Sequence, residues 1–158
     1  KMKNIIVTFL TIFIFINPYI SYGNISERKL FCKSKEVYDF DKYSFDAGKI
    51  LDIYAYIFKQ NKINFYYFFR NKDKILFKKH SSTKYRVNEN FIQWNENWDD
   101  KIFYQKLNRR TLTLSSIGSF EHKYKCEILT TNKWNKKKNE LLNYFQKEYD
   151  KKRIRNKI

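Results

Sequence analysis

LDIYAYIFKQNKINFYYFFR, residues 51–70, is the stretch on which the reading of this chain turns. Leu51, Ile53, Ala55 and Ile57 alternate with Asp52, Tyr54, Tyr56 and Phe58. After a short polar break at residues 59–61 the alternation resumes, with Ile63, Phe65, Tyr67 and Phe69 set against Asn64, Tyr66, Phe68 and Arg70. A period of two sends successive side chains to opposite faces of a strand, so the stretch predicts a β-hairpin. Both of its faces carry large apolar or aromatic side chains. An open antiparallel sheet keeps one face polar for water, so the pattern predicts a closed or two-layered sheet whose second face is also partly covered. A hairpin alone is not stable in water, and the strands that complete it must be sought on either side.

Residues 29–34, 74–78, 84–88, 91–94, 101–107, 111–116 and 123–129 have the same strand character. Turn-forming residues separate most of them at 71–73, 80–83, 95–100, 108–110 and 118–122. These short intervals predict a mainly β domain over residues 24–131, an antiparallel meander forming a small barrel or sandwich. Residues 36–48 are read as a polar surface loop. Their acids, Asp39, Asp41 and Asp46 among them, lack the spacing of a calcium-binding loop.

From Asn132 the period becomes helical, with Trp134, Leu141, Leu142, Phe145 and Tyr149 on one stripe. Glu148 stands four residues before Lys152, a supportive pair on a helix. Residues 132–158 form a basic amphipathic helix or tail carrying ten Lys or Arg against three acids. Such a helix either caps one end of the sheet or lies in an anionic membrane interface, with Trp134 and Phe145 towards the acyl chains. The last six residues are expected to fray.

At the other terminus, residues 1–23 have the order of an export signal. Lys1 and Lys3 lead, an apolar stretch runs over 5–16 with Thr8 and Thr11 as its polar positions, and Asn17 and Pro18 break it before Ser21 and Gly23. Asn17 and Pro18 stand where a spanning helix of about 20 apolar residues would continue, so a cleaved signal peptide is favoured over a retained anchor. Export predicts a periplasmic or secreted protein. In an oxidising compartment the two cysteines, Cys32 near the start of the strand region and Cys126 near its end, predict a structural disulfide. Neither His80 nor His122 has metal-ligand spacing from another ligand.

The whole chain has a formal charge of +17, which falls to +15 once residues 1–23, with two lysines and no acid, are removed. A balance this basic points to an anionic partner. Yet Lys outnumbers Arg 26 to 7, there are 16 Asn and 18 Ile, and Ala, Gly and Pro together number six. Those are the residues of AT-rich codons, so genome composition accounts for much of the charge. Charge interleaved with aromatics resembles a single-strand nucleic-acid surface, but export removes that partner, and no nucleic-acid binding is expected.

Catalytic templates fail. There is no Gly-x-Ser-x-Gly, no His-Glu-x-x-His and no phosphate-cradling loop, and three glycines cannot build such loops. No catalytic residue, metal site or cofactor is assigned. The one acid–base candidate is Glu96, Asp99 and Asp100 around a sugar, with Trp94 and Trp98 as stacking platforms. The same residues also suit a connection between strands.

The leader, Cys32 on the first strand, the Ile-x-Trp strand at 92–94, the Asn-Arg-x-Thr-Leu-x-Leu hairpin at 108–114 and Cys126 on the last strand resemble a group of short exported proteins from AT-rich bacteria, of uncharacterised function. The resemblance spans residues 29–129. It implies a disulfide-closed β fold and carries no activity or site. The functional expectation is non-enzymatic binding to an envelope component, an anionic membrane or an envelope protein. The alternatives are a lipocalin-like carrier of a small apolar ligand and an envelope-sugar hydrolase.

Overall fold

A computed structural model describes residues 25–34, 49–98 and 100–155. The leader at 1–23, the acidic segment at 36–48, Asp99 and the last three residues lie outside the described residues. Eight strands follow one another: β1 (Lys29–Ser34), β2 (Lys49–Lys59), β3 (Lys62–Asn71), β4 (Lys74–Val87), β5 (Phe91–Trp98), β6 (Lys101–Asn108), β7 (Thr113–Ile117) and β8 (Glu121–Leu129). Each pairs antiparallel with its neighbours in sequence, and β1 pairs with β8, so the meander closes into a barrel. Helix α1 (Thr131–Arg155) follows.

The alternation in residues 51–70 becomes two separate cores. Tyr56, Phe58, Ile63, Phe65 and Tyr67 point inside the barrel, where they pack with Leu30, Ile92, Trp94, Leu107 and Leu114. Ile53, Ala55 and Phe68 point outwards and are just as buried, because α1 lies over them with Trp134 and Phe145. The two-faced pattern of the hairpin thus records a closed wall that is covered on its outside as well.

Cys32 and Cys126 face each other directly in the β1/β8 register and form a disulfide, 94 residues apart in sequence. The bond therefore staples the seam that closes the barrel. In the chain-entropy account a loop of this length is worth roughly 4–5 kcal/mol, less any distortion of the native geometry.

Three expectations change. Residues 80–83 are not a turn: β4 runs unbroken for 14 residues. The ladder shifts register between Phe65 and Tyr66, leaving His80 as the extra residue of a bulge. Second, β5 continues through residues 95–98, which were read as a connection. Third, α1 packs on the outer wall and does not cap an end.

Its stripe is the expected one, Trp134, Leu141, Leu142, Phe145 and Tyr149. With Trp134 and Phe145 only 4% and 0% exposed, that face is not open to a membrane. Gln146 fixes the helix to the β3–β4 turn, accepting from the Ile75 backbone N–H at 2.9 Å and donating to the Asp73 carbonyl at 2.9 Å. Arg153 reaches the Asp73 carboxylate at 3.1 Å. Glu148 pairs with Lys151 at 2.6 Å, one residue short of the expected partner. Among the described residues no helix is long and apolar enough to cross a membrane.

Candidate ligand cavity at one end of the barrel

Continuing the inward alternation of β5 past Ile92 and Trp94 brings Glu96 and then Trp98 to the barrel interior. Glu96 is 4% exposed. It forms part of the wall of a cavity of about 320 Å³ that, among the described residues, opens at the end of the barrel holding the β5–β6 and β7–β8 turns. Tyr54 from β2, Trp98 from β5, Phe103 from β6 and Tyr124 from β8 give the cavity its aromatic walls. Tyr54 lies between two of the others, 5.0 Å from Tyr124 and 6.2 Å from Trp98 by ring centroids. Gln105 and Ser116 add polar groups, and the exposed His122 stands at the cavity's edge.

A buried carboxyl needs either a cation or hydrogen-bond donors. Among the described residues no Lys or Arg pairs with Glu96, and the Tyr56 hydroxyl donates to it over a long 3.4 Å. Burial pushes the Glu96 carboxyl up to about 8, opposed in part by the nearby Trp94 indole and by Tyr56. The Trp94 N–H itself has no hydrogen bond of normal geometry. Burial likewise raises the Tyr56 hydroxyl well above its ordinary value, and the neighbouring Glu96 adds to this. Beside them the Gln105 amide donates to Ser116 Oγ at 2.9 Å, and its Oε1, also buried, has no partner.

The flank towards β4 is closed by the bulge residue. The ladder between β4 and β5 comprises three pairs, from Tyr85 to Val87, so the strands diverge towards the open end. His80 fills the gap. Its ring stacks on Trp98 at 4.7 Å, meets Phe65 and Tyr67 edge-on at 5.5 and 5.6 Å, and bonds the Asn97 carbonyl through Nε2 at 2.8 Å. Across the cavity, Phe103 packs on Gly118 so closely that a Cβ there would come within 2.8 Å of its ring. A glycine at this turn lets the aromatic wall sit against backbone.

The other residues singled out in the sequence are distributed differently. Trp94 is buried in the barrel core and is no stacking platform, while Asp100 is exposed in the β5–β6 turn with φ of 62°. Of the acid–base candidates Glu96, Asp99 and Asp100, the first is inside the barrel and the last in the exposed turn, while Asp99 lies outside the described residues. Arg109 is structural, donating to the Asn88 and Glu89 carbonyls at 3.0 and 3.3 Å and so tying two turns together. Asn108 accepts from the Arg110 and Thr111 N–H groups, both at 2.9 Å. The Asn-Arg-x-Thr-Leu-x-Leu run is a turn-building motif at the end of the barrel opposite the cavity. The helix stripe that offered a membrane contact is spent on the barrel.

Comparison with known proteins adds no constraint: no protein-family model matches this chain, and neither a curated protein nor a solved structure is significantly similar to it.

Proposed function

We propose that the protein is an exported, non-enzymatic binding protein that carries a small ligand in the open end of its barrel. The observation that carries this reading is the cavity itself, aromatic on its walls and polar where Glu96, Gln105 and Ser116 meet. Ligand sites are typically concave, mostly apolar and equipped with a few convergent polar groups. The volume lies at the small end of the usual range of about 300–1,000 Å³, which suits a body of one or two rings. The middle of the barrel is filled by its own side chains, among them Tyr56, Phe65 and Trp94. A second cavity of about 280 Å³, lined by Leu30, Phe58, Ile92, Leu107 and Leu112, lies at the opposite end, without a buried carboxyl among the described residues. The cavity supports the carrier reading, and the disulfide together with the order of residues 1–23 supports export.

Native mass spectrometry of the oxidised protein, paired with fluorescence titration against a panel of one- and two-ring compounds, tests the reading. A co-purifying small molecule, or a saturable change in Trp98 emission that disappears in Trp98→Phe, is expected. Placing a large ring at the cavity edge with His122→Trp should weaken binding. If no compound binds saturably, or binding is indifferent to His122→Trp, the carrier reading fails.

A further inference from the structure

We infer that the cavity is built for a small organic cation, an ammonium group carried on an aromatic or apolar body, with Glu96 and Gln105 receiving the ammonium. The inference rests on the carrier reading and specifies its ligand class.

Two buried acceptors carry the argument. The Gln105 Oε1 is buried with no hydrogen-bond partner, and the Glu96 carboxyl, 4% exposed, faces no Lys or Arg among the described residues. Both belong to the same cavity wall, on neighbouring strands. A buried acceptor left without a donor, as Gln105 Oε1 is, is costly; Glu96 has the long Tyr56 contact but no cation among the described residues, and a group with several N–H donors would serve both. A neutral apolar ligand would bring these acceptors no donor. An anionic ligand would meet the carboxyl directly. The walls agree with the floor: Tyr54, Trp98, Phe103 and Tyr124 line the cavity, and aromatic rings attract a desolvated cation that meets their faces.

Proton linkage gives the inference a signature. The titratable side chains facing Glu96 are Tyr54 and Tyr56 from β2 and Tyr124 and His122 from β8, with His80 reaching it only through Trp98. In the empty protein the carboxyl holds its proton up to about pH 8, and an ammonium favours its ionised form. Binding therefore expels a proton below that pH. Affinity should rise with pH and level off near the carboxyl's own titration. Net charge adds a second signature. A cation approaching a chain of formal charge +15 without residues 1–23 is repelled, so added salt should speed association, whereas an anion would be slowed.

Calorimetric titration of the full oxidised protein with 2-phenylethylammonium, 2-phenylethanol and 3-phenylpropanoate tests this. At about pH 8.5 the ammonium should bind about 10-fold or more tighter than the alcohol, the span of a charge-assisted hydrogen bond, and the preference should shrink by about pH 6. Glu96→Gln should bring the ammonium to the level of the alcohol, with thermal unfolding confirming that this variant is folded. Equal or tighter binding of the alcohol or the carboxylate, or a preference that survives Glu96→Gln, overturns the cation assignment and leaves the carrier reading standing. Binding of none of the three, with no co-purifying molecule, overturns both.

Discussion

The hydroxyl of Tyr56 donates to the carboxyl of Glu96 inside the barrel, 3.4 Å away and out of contact with any described cation. This makes stability depend on pH in a definite direction. The carboxyl titrates near 8 when folded and near 4.5 when unfolded. Between those values the folded state holds a proton that the unfolded state has released, so the stability present below about pH 4.5 is progressively lost up to about pH 8. The full span is at most about 5 kcal/mol. Glu96→Gln should flatten this slope and be the more stable protein at about pH 8.5. Urea denaturation across the range measures it, and an unchanged slope would show that Glu96 is already ionised.

Replacing both Cys32 and Cys126 by Ala should cost about 2–5 kcal/mol, since the bond closes a loop of 94 residues at the barrel seam. Denaturation of wild type with and without reductant should reproduce most of that difference. A loss under about 1 kcal/mol would mean that the β1/β8 ladder holds the seam unaided.

Phe145 is fully buried between α1 and Phe68 of β3, with ring centroids 5.0 Å apart. Phe145→Ala should destabilise by about 3–5 kcal/mol. Hydrogen exchange should show the helix amides losing protection before those of the barrel. Simultaneous loss throughout would mean that helix and barrel unfold as one unit.

Lys72, in the β3–β4 turn, adopts φ of 51°, a left-handed conformation costing a side chain about 1 kcal/mol. Lys72→Gly should therefore raise stability by about 0.5–1 kcal/mol, read as an increase in the urea midpoint. A decrease would indicate that the stem of Lys72 packs on the surface.

Strand order and closure rest on pairings that no local pattern encodes, but the hairpin and its two-sided burial were legible in residues 51–70 because alternation survives wherever both faces of a wall are dry. The cavity was not. Ile92-x-Trp94-x-Glu96-x-Trp98 carries the same period two, but the Asn and Glu residues among its members look like a turn, and a buried acid violates the rule that makes periodicity readable. The β4 bulge was hidden likewise, since His80, Ser81, Ser82 and Thr83 have turn composition while the ladder to β3 runs through them. The turns at residues 59–61 and 71–73 were placed correctly despite an almost glycine-free chain, and Gln60 and Lys72 take left-handed backbone positions there, with φ of 50° and 51°.

Closure of the barrel through its first and last strands also dictates an order of events during synthesis. Until residue 129 has emerged, β1 cannot find β8, and one edge of every partial sheet stays bare. Closure must therefore wait for nearly the whole chain, and until then the partial sheet exposes edges that can pair wrongly. Lys29 and Lys33 set charges along the β1 edge that waits, the pattern that discourages edge-to-edge pairing.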